Sequence, residues 1–178
     1  VGGELSGGGR SAAASPAGWQ GALWEKRSLV KTWAMRTTLH LLPADELPLY
    51  MAGVRRRGQA WKRTWSKWLG IDEDQLQEMV EAVGKALDGR CLTRRELADA
   101  VVAQLSWMSL EQLLSAWGTL LGLPARQGKL CFGPLLGTSV RHVRPDQWIG
   151  VWQEVDEFEA GQEMLRRSTR DFLAKECG

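Results

Sequence analysis

Ten Lys or Arg residues fall between Lys26 and Lys67, opposed within that stretch only by Asp45 and Glu46. Arg55, Arg56, Arg57, Lys62, Arg63 and Lys67 form its densest part. Side chains of this kind neutralise phosphates. Each contact releases condensed counterions, so the patch predicts salt-sensitive, largely sequence-independent affinity for nucleic acid. A solvated helix face is the competing reading, since charge runs usually serve that purpose. Lys31 and Arg36 extend the positive charge upstream, Arg36 placed to meet a phosphate or enter a minor groove. Arg126, Lys129, Arg141 and Arg144 form a second basic group downstream.

Other chemistries find little to work with. Cys91, Cys131 and Cys177 are scattered without CxxC spacing, and the two histidines are His40 and His142. That ligand inventory predicts neither a zinc site nor a disulfide frame, and it fits reduced cytosolic thiols. His40, between Leu39 and Leu41, reads as a hydrogen-bonded, partly buried residue, and Cys131 beside Phe132 as core. Gly137-Thr-Ser139 is no phosphate loop, and GxSxG and HExxH do not occur. The carboxylates from Glu154 to Glu163 read as a solvated helix face rather than an acid/base pair. The sequence therefore predicts no metal, no cofactor and no self-contained catalytic set.

With 178 residues, 44% hydrophobic and 25% charged, the chain is globular in composition and sized for one or two small domains. Its net charge of +2 conceals an uneven distribution: the basic third is followed by acidic stretches at Ile71–Gly89 and Glu154–Glu163. No apolar run is long enough to predict a membrane span, and the start lacks the pattern of a secretory signal. A cytoplasmic protein is expected. The first residue is Val1 rather than Met, which reads as a fragment or a processed chain.

Residues 1–18 are rich in Gly, Ala and Ser and read as a flexible leader. Order is expected from Trp19, where Trp19, Leu23 and Trp24 recur at helical spacing. Leu29–Met35 and Thr37–Leu42 predict a β-hairpin joined at Arg36-Thr37 and ended by Pro43. Asp45 is expected to cap a helix through Leu49, Tyr50 and Val54, with Pro48 in its first turn. Trp61, Trp65 and Trp68 fall on one face of a further helix, a pattern that suits core packing with a wet basic back more than base stacking.

Asp72 or Asp74 opens a helix through Leu76, Met79, Val80, Val83 and Leu87 that ends at Gly89. Thr93-Arg-Arg-Glu96 is a capping box before Leu97, Val101 and Leu105. Ser109 caps a third helix through Leu113, Leu114, Trp117 and Leu121, stopped by Gly122 and Pro124. Strands follow at Lys129–Phe132 and Val140–Val143, with Gly133–Gly137 between them.

Three helices and then a hairpin is the order of a winged helix-turn-helix, whose third helix can enter a major groove while its wing lies along phosphates or in the minor groove. Many such domains bind proteins instead. The third helix offers Ser109, Gln112, Ser115 and Thr119 but no Lys or Arg, so packing or an interdomain contact suits it better than base reading.

Three blocks carry a resemblance: Leu23–Arg36 with Thr38–Pro43, Leu92–Ala98, and Leu130–Pro134 with Val143–Trp148. Together, across about Leu23 to Phe172, they resemble the bacterial winged-helix DNA-binding family that includes AlkZ-like glycosylases. The resemblance implies a mainly α, α+β fold with small β-hairpins, built as tandem winged helix-turn-helix units. Residues 19–70 then hold the end of a first unit with its wing and basic helix. Residues 71–144 form a second unit, and 145–178 a helical segment leading toward a third, so the chain reads as truncated at both ends.

The family removes alkylated bases and unhooks interstrand crosslinks, which implies double-stranded DNA as the partner of a monomeric chain. Its Gln-x-Gln catalytic motif lies upstream of the first block, where this sequence has its leader and a solitary Gln20. No catalytic residue is therefore expected here, and Thr37 stands where the family hairpin commonly has Gly. A winged-helix transcription regulator or a protein-interaction module without catalysis is the alternative. The latter gains weight if the acidic C-terminal stretch covers the basic third.

Overall fold

The computed structural model describes residues 16–34, 38–57, 66–67, 70–150, 152–153 and 155–176. Helix α1 (Pro16–Gln20) opens at a proline, whose fixed φ suits the first helical position. It continues as a π-helical turn, Gly21–Glu25, that buries Leu23. Regular structure is thus already present before Trp19.

Strands β1 (Leu29–Trp33) and β2 (Leu39–Pro43) pair antiparallel, with Leu29 opposite Pro43 and Trp33 opposite Leu39. Pro43 takes the terminal position, where its missing N–H costs the ladder little. The joint expected at Arg36-Thr37 and most of the tryptophan-bearing helix, Trp61, Trp65 and Trp68 included, lie outside the described residues.

Helix α2 (Leu47–Arg57) buries Leu47, Met51, Ala52 and Val54. Asp45 does not cap it: residues 44–46 make a turn, and the Tyr50 N–H donates to the Glu46 carbonyl, starting the helix later. Pro48 lies in the first turn, where backbone N–H groups have no intrahelical acceptor.

Three capping boxes organise the next segment. Asp72 and Gln75 open α3 (Glu73–Ala86), which buries Leu76, Met79, Val80 and Val83. Gly89, at φ +63°, takes the left-handed turn that follows. After β3 (Leu92–Thr93), Thr93 and Glu96 open α4 (Arg94–Val102). Ser109 and Gln112 open α5 (Leu110–Ser115). Each box satisfies backbone donors that would otherwise lack partners.

The third helix is not continuous. It breaks into α5, α6 (Trp117–Leu120) and α7 (Gly122–Arg126), and Gly122 and Pro124 lie buried within α7 rather than ending the run. Pro124 is tolerated because it falls in the first turn of a new, short helix.

Strands β4 (Cys131–Leu136) and β5 (Ser139–Val143) complete a three-stranded antiparallel sheet of order β3-β5-β4. β4 runs further than its composition suggested. The register shifts between Gly133 and Leu136, which accommodates Pro134 and leaves a tight turn at Gly137-Thr138. A Cβ on Gly133 would lie 3.0 Å from Val143 Cγ1 and 3.3 Å from Cys91 Sγ, so a side chain here would crowd both neighbours.

After α8 (Pro145–Trp148), the long α9 (Glu157–Glu176) packs back along α2, burying Ala160. Gly53 permits this approach, since a Cβ there would collide with the Met164 side chain.

One core gathers α3 to α7 around Leu76, Met79, Leu97, Leu113 and Leu121. A second joins Val30, Ala34, Leu42, Leu47 and Met51 to Cys131 and Val143. The first hairpin and the second sheet therefore share a core, and the buried Thr32 hydroxyl donates to the Leu130 carbonyl at 3.4 Å between them. The fold is mixed α and β with small antiparallel sheets.

Candidate nucleic-acid interface

The structure sorts the basic residues by what they touch. Lys31, half-buried on β1, holds its ammonium 5.1 Å from the centroid of Phe132. Arg55 donates from Nε to Glu157 Oε1 at 2.9 Å, a contact between α2 and α9. Only the backbones of Arg56 and Arg57 are described, in α2, while Arg36, Lys62 and Arg63 lie outside the described residues. Lys67 is exposed.

The downstream basic group is mostly turned to internal partners. Arg126 is 4% exposed, and burial pushes its guanidinium pKa down to about 10. The phosphate-facing role expected of it does not hold, because a side chain buried at the C-terminal end of α7 does not reach a DNA backbone outside. Lys129 pairs with Glu81 at 3.5 Å. Arg141 Nε donates to the Pro134 carbonyl at 2.8 Å. Arg144 bridges Asp88, at 2.8 Å, and Asp146, and these carboxylates hold its pKa above the ordinary value. Pairs as exposed as Lys129–Glu81 are each worth about 0–1 kcal/mol and can be exchanged for phosphate.

Behind this surface runs a ladder of rings. Trp33 lies against Phe132 with centroids 4.7 Å apart, Phe132 against His142 at 5.4 Å, and His142 edge-on to Trp117 at 5.8 Å. The Arg94 guanidinium stands 5.3 Å from the Trp117 centroid and donates to the Leu114 carbonyl. The stack braces the first hairpin against the second sheet and α6. His142 is only 2% exposed, and burial drives its pKa down to about 4, so the ring is neutral near pH 7. His40 is half-buried, with Nε2 2.8 Å from the Thr38 hydroxyl.

Sequence reasoning named neither His142 nor Arg94 as an organising residue. Their ring partners come from distant segments, so no local spacing marks them. Cys131 is fully buried, which raises its thiol pKa, and Cys91 is half-buried with its pKa raised chiefly by desolvation. Cys177 lies outside the described residues. Among the described residues no group of three or more His, Cys, Asp and Glu side chains is arranged to hold a metal ion. Among them no helix is long and apolar enough to cross a membrane.

A family described as DNA glycosylase AlkZ-like matches residues 4–172. This chain belongs to the AlkZ-like DNA glycosylase family. An interstrand DNA cross-link repair glycosylase from Streptomyces sahachiroi is 39% identical over 132 residues, covering 73% of this chain and 36% of the relative. The solved structure of the Streptomyces sahachiroi DNA glycosylase AlkZ superposes with a TM-score of 0.76 at 35% identity, over 85% of this chain and 41% of that one. The chain thus spans well under half the length of these AlkZ-like relatives.

Proposed function

We propose that this chain is part of an AlkZ-like DNA glycosylase for alkylated or crosslinked DNA, and that its share of the work is to grip the duplex through winged-helix units. Residues 19–70 supply the end of one unit and 71–144 a second, with 145–178 continuing from it. A single copy binding double-stranded DNA in the cytoplasm suffices for this reading, and no base-reading dimer is invoked. Base extrusion and cleavage of the N-glycosidic bond belong to the complete enzyme.

The observation that carries the proposal is the order of capped helices α3, α4 and α5–α7 followed by the β4–β5 hairpin, in a chain of a DNA glycosylase family. That order supports a wing beside a compact helical trio. The third helix, broken and with its one basic residue, Arg126, buried, supports grip rather than sequence reading.

Fluorescence anisotropy with undamaged duplex across a salt series tests the reading. Affinity should fall steeply with salt, and the Arg55/Arg56/Arg57→Ala variant should have a shallower slope by about 0.9 per phosphate contact removed. A second reading, a protein-interaction module, is favoured by the pairs Arg55–Glu157 and Arg167–Glu46, through which acidic and basic groups of α9, α2 and the turn before α2 cover one another. Absence of duplex binding even at low salt selects that second reading.

A further inference from the structure

The tip of the β4–β5 hairpin is unlike the rest of the surface. Leu135, Leu136, Gly137, Thr138, Ser139 and Val140 are consecutive, all exposed, and carry no charge. Leu135, Leu136 and Val140 are three of the few large hydrophobic side chains the described residues leave to solvent, at 51%, 57% and 40% exposure. An ordinary solvated turn would carry charge there, and exposed apolar clusters mark contact surfaces.

The tip is also held in place. Arg141 reaches across the hairpin to the Pro134 carbonyl at the point where the register shifts, and Gly137 makes the turn at φ +60°. The Arg141 guanidinium therefore braces the hairpin, and the tip of the wing presents apolar side chains.

Cations lie beside the tip. Thr93 pairs with Arg141, so the β3 chain heads toward the tip as it enters α4, and Arg94 and Arg95 fall on that first exposed turn. The nearby acids are engaged, Glu96 in the capping box and Asp99 in an exposed pair with Arg95 Nε at 3.0 Å that phosphate can exchange for. An uncharged apolar point flanked by arginines is complementary to a duplex entered from the minor groove, where Leu and Pro side chains wedge between base steps while cations hold the flanking phosphates.

We propose that the β4–β5 tip is an apolar wedge: Leu135 and Leu136 enter the minor groove of duplex DNA and unstack a base step. This rests on the duplex-grip reading, and it names a contact that is independent of the basic α2 region. Nothing covalent is involved; the wedge lowers the cost of deforming the duplex.

The test uses the full chain and a duplex with 2-aminopurine at one central step, whose fluorescence rises on unstacking, read beside anisotropy across salt. The Leu135→Ser/Leu136→Ser variant alters only exposed side chains, and its circular dichroism and melting midpoint should match those of the parent. The parent should raise the 2-aminopurine signal on binding. The variant should lose that rise and bind about tenfold more weakly, with the same dependence on salt. Binding without a fluorescence rise, or a variant indistinguishable from the parent, overturns the wedge and leaves the grip standing. Absence of binding by the parent overturns both.

Discussion

Replacing His142 by Gln should flatten the acid side of the chain's stability profile. The ring is held between Phe132 and Trp117 at 2% exposure, and its pKa of about 4 lies below the ordinary 6.5 because burial disfavours the charged form. A hydrogen bond to the Leu92 backbone works the other way and is outweighed. In the unfolded chain the same imidazole protonates near pH 6.5, so between pH 6.5 and 4 the unfolded state binds a proton that the folded state refuses.

The sign follows from that difference. The contribution is fully present above pH 6.5 and is lost as pH falls through the window toward 4. One group with these constants removes about 2 kcal/mol between pH 7 and pH 5, approaching about 3 kcal/mol below pH 4. Urea unfolding of parent and His142→Gln at pH 7 and pH 5 measures this directly. Carboxylates that also titrate affect both proteins alike, so the difference between their pH responses isolates the ring. Equal losses in the two proteins would refute the claim that His142 is buried and neutral.

Thr93→Ala and Ser109→Ala each remove a capping box and should cost about 1 kcal/mol, read as a lower urea midpoint at unchanged slope. Gly53→Val should destabilise by about 1–3 kcal/mol by forcing α9 from α2, and pairing it with Met164→Ala should restore part of the melting temperature. Arg126→Ala should lower the melting temperature by an amount corresponding to about 0.5–3 kcal/mol, while the salt slope of duplex binding stays at the parent value. A shallower slope would show that the buried arginine reaches phosphate after all.

What the sequence disclosed was local. The capping pattern Thr93–Glu96, the cap at Ser109, the helix start at Asp72 and the hairpin ending at Pro43 all stand where spacing and residue type put them. Each depends on neighbours a few residues away, which is what a linear pattern can carry. The break of the third helix was hidden because Leu113, Trp117 and Leu121 keep helical spacing even though α5, α6 and α7 are separate turns.

The candidate interface was legible as composition but not as geometry. Arg126, Lys129, Arg141 and Arg144 looked alike as cations. Their fates differ because Glu81, Asp88, Asp146 and the Pro134 carbonyl reach them through the fold, and because α7 is packed inward. In the sequence the apolar tip at Leu135 and Leu136 reads as part of a loop, since Gly133 and Pro134 argue against a strand unless the register shifts there.

The central claim, that this chain holds duplex DNA by its phosphates, is tested most directly by comparing an ordinary duplex with one in which a central block carries neutral methylphosphonates. Both are measured by anisotropy at low salt with the full chain. Binding to the ordinary duplex and marked weakening on the neutral one is the expected result. Equal affinity for the two duplexes, or no binding to either, would contradict it.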